Sequence, residues 1–277
     1  MAESVQEILI RAGQRSRHYW RDLWLYRELL WFLSWRDVLV RYKQTVIGVA
    51  WALLRPLLTL LVFTFVFSRV ARLPSEGGAP YTLMVFSGLL PWVFFASALS
   101  QTGNSLIENE RMITKIYFPR MVMPLSAILV ALFDFLIAGV LLIGFFLWFG
   151  FYPDWHVIVV PLFTGLALTA ALGPGFLMAA LNVKYRDFRY VIPFIVQIGL
   201  YLSPVGYSSS LVPEAWRVAY SLNPMVGVID GFRWSLLGGE AAIYWPGFAA
   251  SLATNALLLV VGVHYFRRAE RSFTDVI

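Results

Sequence analysis

Few residues in this 277-residue chain could make or break a bond. There are no cysteines, which removes disulfides, thiol nucleophiles and cysteine metal sites together. His18, His156 and His264 sit in three separate regions without ligand spacing, so no metal site is expected. No G-x-x-x-x-G-K-[ST] occurs, and the chain has no such loop to cradle a triphosphate. No carboxylate pair is placed for glycosyl or phosphoryl transfer, and no nucleophile elbow is present. What remains is a chemistry of passage. Trp51, Arg55 and Thr59 follow at i, i+4 and i+8, and Tyr190, Phe194, Gln197 and Tyr201 form a second semi-polar stripe. Aromatic faces stack on the C–H surfaces of sugar rings, while Tyr, Trp and Gln add hydrogen bonds; ordinary helix packing competes as the explanation for any single aromatic. Arg55 and Asp134 are charges inside otherwise apolar stretches, where a charge must be paired or face a cavity. Arg55 either meets an anionic substrate group at the inner mouth or is a structural tie, to Asp134 or to helix carbonyls. Asp134 is read as structural. One acidic residue is thin material for a proton relay, so any energy source is expected in another chain.

The elements that carry these stripes must be membrane helices. The chain is 59% hydrophobic and only 14% charged, far from the roughly 25% charge of a soluble domain. Its mean hydropathy is +0.70. Residues 77–107, 155–183, 190–213 and 241–266 contain no Asp, Glu, Lys or Arg, and each exceeds the roughly 20 residues a spanning helix needs. Residues 47–68 contain only Arg55 and 121–153 only Asp134. Six spans are expected, centred near residues 58, 91, 134, 169, 199 and 255. Lys and Arg set their orientation. They crowd the N-terminal segment and the loops holding Arg111, Lys115, Arg120, Lys184, Arg186 and Arg189, and they follow the last span at Arg267, Arg268 and Arg271. The opposite side has Arg69, Arg72, Arg217 and Arg233. Both termini are therefore expected in the cytoplasm. The first apolar run begins near residue 47, too far in for the order of a cleavable signal peptide.

Three segments do more than span. Trp20, Trp24, Trp31 and Trp35 fall within about 60° of one another at 100° per residue, an indole stripe suited to the headgroup region. The nearby arginines suit anionic lipid, and their interleaving with Trp and Leu argues against nucleic acid. Residues 20–43 are thus read as an amphipathic interface helix, with packing against the bundle's own base as the alternative. In the second loop, Ser105 and Glu108 read as a capping box opening a short polar helix to about Ile116. That helix, with Arg111, Ile113 and Lys115, is either a handle for a partner or a solvated connector. The last external loop is rich in apolar residues yet interrupted by Arg217, Asp230 and Arg233. Pro213 and Pro224 sit where helices start, Asn223 is a credible N-cap and Gly238-Gly239 a credible stop. Two short re-entrant helices are expected, against a helical cap lying flat.

Four blocks carry a resemblance. They are RELLWFLSWRDVLVRYKQTVIGVAWALLRPLL, IENERMITKIYFPRMVMPL, LNVKYRDFRYVIPFIVQIGLYLSPVGY and LNPMVGVIDGFRWSLLGG. In this order and spacing they resemble the polysaccharide-exporting permeases of the ABC type-2 family, the membrane subunits of O-antigen and teichoic-acid exporters. The resemblance implies a homodimer of six-helix subunits with two ABC ATPase subunits beneath, which bind ATP and Mg; this chain itself is expected to hold no cofactor. Matched block by block, Trp20–Lys43 corresponds to the interface helix and Ser105–Tyr117 to a coupling helix that docks into the ATPase. Pro213–Gly239 corresponds to external gate helices, and the first and fifth spans to those lining the channel. At Arg55-Pro56 the chain departs from relatives that carry another polar residue before proline.

The expectation is an all-α membrane protein of the bacterial inner membrane, with residues 1–46 a cytoplasmic N-terminal segment and 47–277 the six-span domain. It would act as the permease subunit of an ATP-driven exporter of lipid-linked polysaccharide such as O-antigen. Export of a smaller amphipathic molecule, a drug or lipid, is the alternative. A membrane-embedded glycosyl- or phosphotransferase is a third reading, disfavoured by the missing acidic pairs.

Overall fold

A computed structural model describes residues 19–43, 46–238 and 243–273, with side chains left aside at 46–52 and 272. Among the described residues every regular element is helical. Tyr19–Leu25 (α1) and Arg27–Lys43 (α2) precede Val46–Phe63 (α3), which runs on as a π-helical stretch to Val70. Tyr81–Glu108 (α4), the one-turn Glu110–Ile113 (α5) and Val122–Phe149 (α6) follow. Then come Val160–Lys184 (α7), Phe188–Leu202 (α8), Glu214–Tyr220 (α9), Pro224–Leu237 (α10) and Trp245–Ala269 (α11).

Helix α4 is the axis of the bundle. Leu83 through Trp92 are buried without interruption, because α4 packs on α3, α6, α7, α8 and α10. A helix apolar all round is buried all round. The surrounding helices instead keep large apolar side chains outward: Leu58 and Leu61 on α3, Val140 and Leu147 on α6, Leu257 and Val260 on α11. Such faces are stable against hydrocarbon, where a water-exposed surface of this kind would not be. Among the described residues five helices are long and apolar enough to cross a membrane: Leu53–Val70, Tyr81–Glu108, Val122–Phe149, Trp155–Lys184 and Trp245–Ala269. The span expected near residue 199 is the shorter apolar helix α8, of 15 residues. It ends at Leu202, where Ser203 turns to extended backbone.

The interior divides into two apolar clusters. The larger joins α4, α6, α7 and α10, with Phe94, Phe135, Phe232 and Phe163 in successive ring contact. The smaller lies at the end holding Arg267 and gathers Leu33, Leu106, Ile113, Phe118, Phe176, Phe266 and Phe273. Side-chain amides stitch the helices where backbones come close: Asn182 donates to the Gly103 carbonyl at 3.1 Å and Asn255 to the Leu166 carbonyl at 3.0 Å.

Helix α2 runs beside α6 in the same direction. Ser34 Oγ reaches the Ser126 carbonyl at 3.4 Å, and further along Arg41 and Tyr42 both bond the Asp134 carboxylate. The same advance along both chains makes the helices parallel neighbours, so α2 climbs against the bundle. Its Leu33, Ser34 and Val38 are buried while Trp31 and Trp35, stacked at 6.5 Å, stay exposed with Trp20 and Trp24. Asp134 is thus tied to Arg41, not to Arg55 as one sequence alternative held; a carboxylate that far along a span takes the cation that packing brings to it.

The tightest helix contact is between α7 and α11. A Cβ on Gly262 would lie 2.0 Å from the Gly173 carbonyl oxygen, and one on Gly173 would meet the backbone of Leu258 and Leu259 at 2.6 Å. The glycines exist so that two backbones can touch. Gly262→Ala should therefore part α7 from α11 and cost about 1–3 kcal/mol or more, read as a lower melting temperature in detergent. Gly165→Ala, on α7 with no heavy atom within 4 Å, should leave it unchanged or slightly raised. Equal melting of the two variants would contradict the close approach.

Candidate functional site

The α8 stripe is left outward by the way α8 docks. Ile192 is buried against Gly103, and a Cβ on Gly199 would lie 2.6 Å from the Trp92 ring. Residues 192 and 199 share the inward face, so Tyr190, Phe194, Gln197 and Tyr201 take the outward one. Tyr190 is 77% exposed, and Phe194 and Tyr201 are 62%. On α3, Arg55 is exposed, and Thr59 Oγ1 donates to its carbonyl at 2.9 Å. The Trp51 side chain lies outside the described residues. α3 and α8 thus both rest on α4, with Arg55 and the α8 stripe facing outward.

At the far end from Arg267, α9 and α10 form where Pro213 and Pro224 were read as starts. Asn223 caps α10, its side chain accepting the Met225 N–H at 3.0 Å, and Gly238 ends it in the left-handed region at φ 79°. Gly239 lies outside the described residues. The two helices differ in depth: α10 is mostly buried among α4, α7 and α11, whereas α9 contains no buried residue and exposes Trp216 and Val218.

Arg233 of α10 has 0% exposure. Its Nη1 donates to the Tyr207 carbonyl at 2.8 Å, Nη2 to Val205 at 2.9 Å and Nε to Met84 at 3.3 Å. Glu76 approaches at 3.9 Å, the edge of ion-pair contact. Around this fork lies a polar layer. Tyr81 donates to the Gly206 carbonyl, Tyr207 and Tyr220 share a hydroxyl contact of 2.9 Å, and Ser251 Oγ accepts the Gly227 N–H at 3.1 Å while donating to Ser221 at 2.7 Å. Burial lifts the Asp230 carboxyl to about 6, against the pull of Arg233, Ser209 and Arg217. Arg217 spends its fork on the carbonyls of Val212 and Ser210, at 3.1 and 2.6 Å.

At the opposite end the second loop departs from expectation. Ser105 does not cap a new helix: it is buried inside α4, and its Oγ donates to the Thr102 carbonyl at 2.7 Å. α4 runs on to Glu108 because Leu106 is buried in the smaller cluster, and burial outweighs a local cap signal. The expected helix to Ile116 shrinks to α5, of 4 residues. Ile113 is 4% exposed, held in the chain's own core, while Ile116 is 58% exposed beside the exposed Tyr117. Glu108, Arg111 and Lys115 are exposed around them. The sequence reading missed the joint behind this loop. Glu270 accepts from the Arg120 backbone N–H at 2.8 Å and from the Tyr19 hydroxyl at 3.2 Å, and Arg120 also bonds the Glu270 carbonyl. Burial raises the Glu270 carboxyl, with those donors opposing it. A lone acid among the arginines after the last span was the available signal.

Among the described residues, a helical bundle with lipid-suited outward faces, an exposed semi-polar stripe on α8 and a buried α10 defines a multi-pass membrane protein. The chain belongs to the ABC-2 type transporter family, whose profile matches residues 28–237. It is 29% identical over 215 residues to the O-antigen export system permease protein RfbA of Myxococcus xanthus, covering 77% of this chain and 82% of that protein. It is 27% identical over 254 residues to the protein of the same name from Klebsiella pneumoniae, covering 90% and 95%. It is 26% identical over 195 residues to the inner membrane transport permease YadH of Escherichia coli K12, covering 67% and 75%.

Arg233 makes the α9–α10 hairpin testable. Arg233→Met would leave the Val205 and Tyr207 carbonyls without their donors and Glu76 without its cation, at a cost of about 3–5 kcal/mol. Arg233→Lys should recover only part of this, since an ammonium is a point donor and not a fork. Thermal unfolding followed by tryptophan fluorescence in detergent should rank wild type above Lys and Lys above Met. A Met variant as stable as wild type would contradict the assignment.

Proposed function

We propose that this chain is the permease subunit of an ATP-driven exporter that moves lipid-linked polysaccharide, such as O-antigen, outward across the bacterial inner membrane. The observation that carries the reading is the outward Tyr190, Phe194, Gln197 and Tyr201 face of α8, in a chain similar over most of its length to permeases named for O-antigen export. Stacked aromatics with an amide between them offer a sliding surface to sugar rings, and two copies facing each other would enclose it. In this reading α8 is a short sixth span completed by the residues after Leu202, and both termini lie in the cytoplasm with the Lys- and Arg-rich loops. Trp20, Trp24, Trp31 and Trp35 sit at the inner headgroup level, with Arg21, Arg27 and Arg36 near anionic lipid. Arg55 stands at the inner mouth, where a lipid-linked pyrophosphate would enter. The outer hairpin α9–α10, with Pro213, Arg217, Asn223, Pro224, Asp230 and Arg233, closes the exit. ATP and Mg belong to the partner ATPase, two copies of which serve the dimer. The similarity to YadH, whose name specifies no polymer, supports a second reading in which the cargo is a smaller amphipathic molecule.

Deleting the gene in its native host should leave undecorated cells with polymer accumulating inside while its synthesis continues. Immunoblotting of surface and intracellular polymer checks this, and normal surface polymer in the deletion strain would contradict it.

The exposed Ile116 and Tyr117, rimmed by Glu108, Arg111 and Lys115, are the surface on which the ATPase would dock. Ile116→Asp should preserve the folded permease and lower ATPase recovery per permease by about tenfold or more, because it places an unpaired charge at the contact. Ile113→Asp should instead unfold the smaller core. Full ATPase recovery with Ile116→Asp would move the docking surface elsewhere.

A further inference from the structure

A cavity of about 320 Å³ lies between α9, the first turns of α10 and the start of α11, at the end of α11 opposite Arg267. Ser209, Ser210, Arg217, Asp230, Tyr244 and Phe248 are among its walls. Its size falls at the low end of the roughly 300–1,000 Å³ of small-ligand sites. Export along α8 leaves it without a role.

Its chemistry restricts what it can hold. The Arg217 guanidinium spends Nε and Nη2 on the Val212 and Ser210 carbonyls and lies over the Tyr244 ring at 5.5 Å, which leaves its Nη1 N–H groups as donors for a guest hydroxyl. The Asp230 carboxylate repels anions and, with Ser209 as its hydrogen-bond partner, keeps further acceptor positions. An apolar guest would cover that carboxylate without satisfying it, which is costly. The fitting guest carries several hydroxyl donors on one edge for Asp230 and the serines, and a C–H-rich face for Tyr244 and Phe248. That is a sugar ring. It must also be short, because the chamber ends against the buried wall of α10.

We infer that this chamber is a saccharide subsite on the external side, which takes one or two sugar residues of the polymer beside the α9–α10 hairpin. The inference rests on the polysaccharide-export reading above and adds a place where the emerging chain is held. A resting point at the exit would oppose backsliding between strokes of the ATPase.

The test uses the permease–ATPase complex in lipid nanodiscs. The probe is the oligosaccharide released by mild acid from the host's own surface polymer, followed by saturation-transfer NMR. Wild type should transfer saturation to it. Asp230→Asn should bind it about tenfold more weakly, the loss expected when charge-assisted hydrogen bonds to hydroxyls are removed. Ser210→Trp, which blocks the mouth from an exposed position, should abolish transfer and carries the test alone if the Asn variant does not assemble. Unchanged binding in the variants would overturn the subsite, as would saturation of glycerophosphoethanolamine in place of the oligosaccharide. A wild-type complex that restores surface polymer to the deletion strain yet binds no oligosaccharide also overturns the subsite and leaves the export reading standing. A gene whose loss leaves surface polymer normal defeats the export reading itself.

Discussion

Arg233 brings a full charge into the buried interior, and with the Glu76 carboxylate at the edge of ion-pair contact its fork meets three backbone carbonyls. Two of these, Val205 and Tyr207, lie past the end of α8, where the chain has left the helix and its carbonyls are free to accept. The third is near the start of α4, the most buried helix. One side chain therefore fixes α10 against the beginning of α4 and the exit of α8 together. With α10 seated, Asn223 and Ser251 set the entry of α11, and the α9 end of the hairpin stays at the surface. A helix inserted this deeply cannot move alone. Any opening at this end must carry the α8 exit and the α4 start with it or break the fork.

The other end is governed by different forces. There the smaller apolar cluster gathers the base of α2, the end of α4, the loop before α6 and the end of α11. One polar tie locks it, Glu270 to Tyr19 and Arg120, while a second, Asp134 to Arg41 and Tyr42, joins α2 to α6 further along the span. The exposed Ile116 and Tyr117 stand on a loop whose roots, Ile113 and Phe118, are buried in this cluster. A push on that loop reaches α2, α6 and α11 through packed side chains instead of flexing a connector. This is the mechanical property a partner ATPase would need.

Much of this architecture was legible in the sequence because it follows from local rules. Stretches with no charge or a single one marked the five long spans, while the charge-free stretch 190–213 yielded only the 15-residue α8. Proline, asparagine and glycine at fixed offsets marked the start of α9 and both ends of α10 to within a residue. The indole stripe predicted the exposed face of α2. What failed depended on neighbours distant in sequence. Ser105 and Glu108 have the letters of a capping box, yet Leu106 and Thr102 are buried against α7-side residues and the helix runs through. Ile113 and Ile116 look equivalent at helical spacing, and only packing separates the buried one from the exposed one. The partner of Asp134 lies 93 residues away on a segment whose indole stripe points to the headgroup interface, so charge alone names the need for a cation and not which cation. Arg233 was legible as unusual but not as a clamp, because its acceptors are backbone carbonyls, which every residue carries.

The most direct test of the account follows the polymer itself. Inverted inner-membrane vesicles from cells making labelled lipid-linked polymer expose the cytoplasmic side, so ATP added outside should drive label into the lumen, where an added glycosidase cannot reach it. Vesicles with this chain and its ATPase are predicted to protect the label only when ATP is present, and vesicles lacking the chain should protect none. Protection that is equal without this chain, or that proceeds equally without ATP, would contradict its role as the permease of an ATP-driven exporter.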